Sequence, residues 1–245
     1  MKRRKRRISK MKTKKKVLVA ALVVALLAIA VGGTLAWFTD NDEATNTFTV
    51  GEIDIYQHEH EHDENNQIQQ FTQDQVLLPI VDVTNVAEDE NYVEKLVSVE
   101  NIGKNEAYVR TFIAVPAVIK DIIHLDTAED NAGTKWVKDT IAWPNATVDG
   151  MEYAVISFTY TDELAKGDVT DYVLEGVYMD AQVDLQDNAG VKQFCIEDAN
   201  GNYTFYNYDI TKNVNVLVAT QGVQARGFDD AQAAFTSAFP KHPWE

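Results

Sequence analysis

Along most of the chain apolar positions recur every second residue. Val93, Lys95, Val97 and Val99 fall on one face of a strand, and residues 108–115 form an unbroken aromatic and β-branched run stopped by Pro116. Residues 153–160 (YAVISFTY) and 214–219 (VNVLVA) repeat the signal. Asn200-Gly201, in the middle of 194–208, predicts a hairpin closed by a tight primed turn. The two Asp-Asn-Ala-Gly stretches, 130–133 and 187–190, read as loops. A helical period is clear near the end, where Phe228, Ala231, Phe235 and Phe239 share a face. The helix is expected over about 229–239, capped by Asp229 and ended by Pro240. Together these elements predict an all-β fold: an antiparallel β-sandwich of jelly-roll type with one C-terminal helix.

The N-terminus follows another pattern. Residues 17–31 (VLVAALVVALLAIAV) are apolar without interruption and lead into Gly32-Gly33-Thr34-Leu35-Ala36. A basic stretch, an apolar stretch and a small-residue site predict a signal helix over 1–36, cut between Ala36 and Trp37. An uncleaved anchor is the alternative, because residues 17–38 approach the roughly 20 needed to span a bilayer. Either way the basic flank keeps the first residues cytoplasmic and sends the body across; for the cleaved signal, membrane contact is expected only before cleavage.

Charge sharpens this division. The chain holds 22 Lys and Arg against 38 Asp and Glu, and 11 of those basic residues lie within the first 16. The rest therefore carries 11 basic and 38 acidic side chains, a net charge of −27. Such a body repels nucleic acid and anionic membrane, and no nucleic-acid partner is expected. The single cysteine, Cys195, permits no intrachain disulfide and sits in the apolar run Phe194-Cys195-Ile196, as a small core residue would.

Residues 37–56 read as an N-terminal extension and first strand, ahead of a domain over 57–245. Phe48 and Val50 share one parity, Gly51 interrupts, and Ile53 and Ile55 take the other, the pattern of a bulged strand. Trp37-Phe38-Thr39-Asp40 followed by Thr45-Asn46-Thr47-Phe48-Thr49-Val50-Gly51-Glu52-Ile53-Asp54-Ile55 resembles the TasA/camelysin family of exported surface and biofilm-matrix proteins of Gram-positive bacteria. Residues 96–115 and 214–228 are similar to strands of exported relatives of this type. The resemblance implies a jelly roll, cleavage after Ala36 by the signal peptidase SipW, and a secreted subunit of the matrix or cell surface. It also implies fibres in which the N-terminal strand of one copy completes a neighbour's sheet, the partners being further copies or other matrix proteins. Here the donor is 45–55, with Phe48, Val50, Ile53 and Ile55 as anchors; the alternative is a strand paired inside its own domain.

Residues 57–75 are expected to form a polar loop. Within it His58, Glu59 and His62 satisfy H-E-x-x-H, the zinc-peptidase spacing, in which Glu59 is the general base when the segment is helical. Camelysin-type relatives are classified as metallopeptidases, which keeps a metal-dependent endopeptidase as the second functional reading. In an extended segment His58, His60 and His62 instead line one face at about 7 Å per step, and two neighbours could chelate Zn or another divalent ion. A solvated loop without metal is the third reading, and no cofactor is required by the first.

Overall fold

The computed structural model describes residues 39–42, 53–72 and 75–245. Its strands are β1 (Thr39–Asp42), β2 (Ile55–His62), β3 (Ile68–Gln70), β4 (Val93–Asn101), β5 (Ala107–Pro116), β6 (Ile123–Thr127), β7 (Trp136–Lys138), β8 (Ala146–Val148), β9 (Met151–Tyr160), β10 (Leu174–Met179), β11 (Val183–Asn188), β12 (Val191–Glu197), β13 (Tyr203–Tyr206) and β14 (Leu217–Gln224), followed by one helix, α1 (Ala231–Ala238). A six-stranded sheet runs β1-β14-β5-β9-β7, with β8 also on β9; a five-stranded sheet runs β3-β2-β4-β10-β6; and β11-β12-β13 form a third. Every ladder between these strands is antiparallel. The fold is therefore all-β with antiparallel sheets and a C-terminal helix.

The two larger sheets share one core. Val97 and Val99 of β4 and Leu174 and Val177 of β10 meet Val109 and Ile113 of β5 and Phe158 of β9. All ten residues of β5 are buried, which explains why its sequence is apolar on both faces apart from Arg110 and Thr111. Its odd-numbered side chains face this core. On the opposite face Tyr108 packs with Val223 under Ala231, Ala234 and Phe235 of α1, while Phe112 and Ala114 pack with Tyr153 and Val155, partly covered by Trp143 and Trp244. The helix and the residues after it thus roof the outer face of the six-stranded sheet.

That roof encloses a charge. Arg110, 1% exposed, donates from Nε to Thr159 Oγ1 at 3.0 Å, lies 3.1 Å from Asp139 and stacks 4.4 Å from the Phe235 ring. Asp139 also accepts hydroxyls from Ser157 at 2.5 Å and Thr159 at 2.8 Å, so the pair is held in a complete network.

Three local expectations are corrected. The polar stretch at 57–75 is not a loop throughout: β2 continues to His62 and returns through β3, because its backbone pairs with β4 from Ile55 to His60. The helix cap is Asp230, which accepts from the Ala233 N–H at 2.7 Å, one residue after Asp229. The Asn200-Gly201 turn is not primed at both residues. Only Gly201 has positive φ, and Asp198 and Asn202 enclose a three-residue loop. The primed two-residue turns lie elsewhere, at Asp149-Gly150 and Ala189-Gly190, where both residues have positive φ.

Candidate functional site

β1 occupies the edge of β14, with Thr39 opposite Val223 and Asp42 opposite Thr220. Ile53 and Ile55 are buried in the chain's own core, at 1% and 2% exposure. They lie against β14 where it has no side chain: a Cβ on Gly222 would stand 2.9 Å from Ile55 Cγ2 and 3.4 Å from Ile53 Cγ2. Phe48, Val50, Ala36 and Trp37 lie outside the described residues, as does the apolar segment 17–31. Among the described residues no helix is long and apolar enough to cross a membrane.

Beyond Thr220 the same edge of β14 has no strand partner among the described residues. The chain leading into it, 213–217, borders a cleft of about 180 Å³. Phe71, Leu77, Val93 and Val177 form the apolar wall opposite Val214 and Val216. A cation is set in this wall: Lys95, 5% exposed, lies 4.1 Å from the Phe71 ring centre and is ion-paired with Glu59. A strand edge with no strand partner among the described residues, its Val218 carbonyl accepting from Gln57 Nε2 at 3.5 Å, lies beside an apolar cleft, and such an edge is suited to pair with an extended segment whose alternate side chains enter the cleft.

β2 places its polar side chains on two faces. Gln57, Glu59 and Glu61 follow Ile55 in parity and point inward. Gln57 accepts from Thr220 Oγ1 at 2.8 Å, and Glu61 accepts from Gln69 at 3.0 Å and Thr72 at 2.6 Å. Burial opposes ionisation of Glu61, but the bonds from Thr72, Gln69 and Gln75 prevail and hold its carboxyl below the usual range. His58, His60 and His62 take the outer face. His58 Nε2 lies 2.9 Å from Glu100, and His62 Nδ1 lies 2.9 Å from Glu94. Burial, and then the neighbouring His58, push His60 below its ordinary value.

This geometry does not fit the peptidase reading of H-E-x-x-H. In a strand His58 and His62 are four residues, roughly 13 Å, apart, and Glu59 points to the opposite face, where Lys95 engages it. No group of three or more His, Cys, Asp or Glu among the described residues is arranged to hold a metal ion. Cys195 is buried, its Sγ 3.6 Å from the Asp184 carbonyl, and burial raises its thiol. Two features escaped the sequence reading: Lys95 as the cation of the cleft, and Arg110 with Asp139. Lys95 left a trace, a charge in an otherwise apolar parity; Asp139 left none, since its role comes from a contact 29 residues away along the chain.

No curated protein and no solved structure matches the chain. One family model does, described as camelysin metallo-endopeptidase, over residues 10–71. The matched region takes in the apolar segment, the Ala36-Trp37 junction, β1 and β2, and ends one residue after β3. Over that N-terminal quarter the chain is similar to the TasA/camelysin family.

Proposed function

We propose that this chain is an exported structural subunit of the biofilm matrix or cell surface, which associates with further copies through its N-terminal strand. The observation that carries the reading is the β14 edge. β1 covers it from Thr220 to Val223, and the stretch before Thr220, which has no strand partner among the described residues, lies beside an apolar cleft. Ile53 and Ile55 fill their own core in the single chain, so assembly exchanges an element: the contacts made within one copy are made with the next. The basic leader, the apolar segment and the −27 body suit export and solubility before assembly.

The test is electron microscopy and sedimentation of Phe48→Asp/Val50→Asp beside the parent protein. A folded monomer without fibres is expected, whereas undiminished fibres contradict the reading. Truncation should stop before Ile53, because a deletion through residue 55 also removes two core side chains. The description of the matching family favours a second reading, a metal-dependent endopeptidase. A chelator-sensitive proteolytic activity in the purified protein would establish it. Loss of that activity in Glu59→Gln would place it in β2.

A further inference from the structure

The outer face of β2 carries more order than a solvated polar strand needs. His58 is held from two sides: the Tyr56 ring meets its ring edge-on at 4.8 Å between centres, and Glu100 lies 2.9 Å from its Nε2. Its ring centre is 5.3 Å from that of His60, with the planes tilted by 33°. Residues i and i+2 of a strand have Cα atoms roughly 7 Å apart, so the two rings converge. An ion about 2.1 Å from one nitrogen of each imidazole stands roughly 3.2 Å from each ring centre, which sets the centres of two tetrahedrally arranged ligands roughly 5 Å apart. The observed separation matches. A carboxylate on the remote nitrogen of a ligating histidine fixes its tautomer and its orientation, and Glu100 stands in that relation to His58.

From these contacts we infer that His58 and His60 form a two-imidazole chelate for a borderline divalent transition-metal ion, oriented by Glu100 and completed by water. His62 is outside the chelate, since the paired rings are those of His58 and His60, while the ring of His62 and its backbone N–H are both turned to Glu94. The site is distinct from the H-E-x-x-H arrangement: it uses neither Glu59 nor His62, and it faces solvent rather than the core. Imidazole donors favour Cu2+ over Ni2+ and Zn2+ in the usual order of stability, so Cu2+ is the most sensitive probe.

Calorimetric titration of the purified full-length protein with Cu2+, paired with electron paramagnetic resonance of the loaded protein, tests the inference. One tight equivalent with coupling to two imidazole nitrogens is expected. His58→Gln and His60→Gln should each weaken binding at least tenfold, Glu100→Gln roughly tenfold, and His62→Gln less than twofold. Equal losses in all three histidine variants would overturn the chelate in favour of a diffuse polar run. Unchanged binding in His58→Gln, or a signal without nitrogen coupling, would assign the uptake to surface carboxylates and also overturn it.

Discussion

The outer faces of the two large sheets use the same chemistry in opposite surroundings. On the six-stranded sheet, Arg110 and Asp139 are sealed beneath α1 and the chain that follows it, with side-chain exposures of 1% and 7%. On the five-stranded sheet, His58–Glu100 and His62–Glu94 lie under no such roof among the described residues, with side-chain exposures between 21% and 34%. A sealed pair is indispensable once built, because removing one member strands the other away from water. An open pair contributes little to stability and leaves the second ring nitrogen within reach of a ligand from solvent. The first face is therefore architecture, and the second is where the inferred chelate is located.

Substitutions can break this contrast in graded steps. Asp139→Ala should be the most damaging, costing about 3–5 kcal/mol in urea unfolding, since Arg110 keeps its charge without its carboxylate. The paired change Arg110→Met/Asp139→Leu should unfold at higher urea than Asp139→Ala despite altering more atoms. If it does not, the hydroxyl network from Ser157 and Thr159, rather than the uncompensated charge, dominates the loss. Gly222→Ala comes next, at about 1–3 kcal/mol, because its new methyl meets Ile55. Ile55→Val in the same chain should recover part of that loss; independent, additive losses would show that Ile55 does not lie on Gly222 in solution.

Under the roof, Asp230→Ala should cost about 1 kcal/mol by removing the helix cap, and Asp229→Ala far less. The pH dependence follows from His242 and His60. Burial lowers both below the ordinary value of 6.5, so the unfolded chain binds more protons than the folded one in that range. Their stabilising contribution is full above pH 6.5 and declines as pH falls below it. His242→Gln should flatten the stability profile there more than His60→Gln, because His242 is 3% exposed. The smallest effect belongs to the open face, where Glu94→Ala should change unfolding by no more than about 1 kcal/mol.

Much of the architecture was legible in the sequence where burial has one simple period. The strands around Val97, Phe112 and Val155 and the helix through Phe235 announce themselves because apolar side chains alternate, run continuously or recur at helical spacing. β2 was half legible. Ile55 reads as a strand residue, but Gln57, Glu59 and Glu61 point inward as polar groups, satisfied by Thr220, Lys95 and Thr72, which only the fold brings near. A strand polar on both faces looks like a loop until its partners are known. β14 begins at Leu217 rather than Val214, since 214–216 border the cleft without joining the ladder. The histidine run was visible from spacing alone; its division into a convergent pair and a third ring held by Glu94 was not, because that depends on the register between β2 and β4.

In the proposed function the N-terminal strand docks on the β14 edge of a neighbouring copy in the assembled state. Asn41 and Gln221 are register partners across β1 and β14, so each can carry one half of a crosslink. Chains bearing only Asn41→Cys and chains bearing only Gln221→Cys are mixed, allowed to assemble and then oxidised. A covalent dimer joining one chain of each kind is expected, formed in fibres and absent from the Phe48→Asp/Val50→Asp background. The opposite result would contradict it: fibres without that dimer, while a single chain carrying both cysteines closes only on itself.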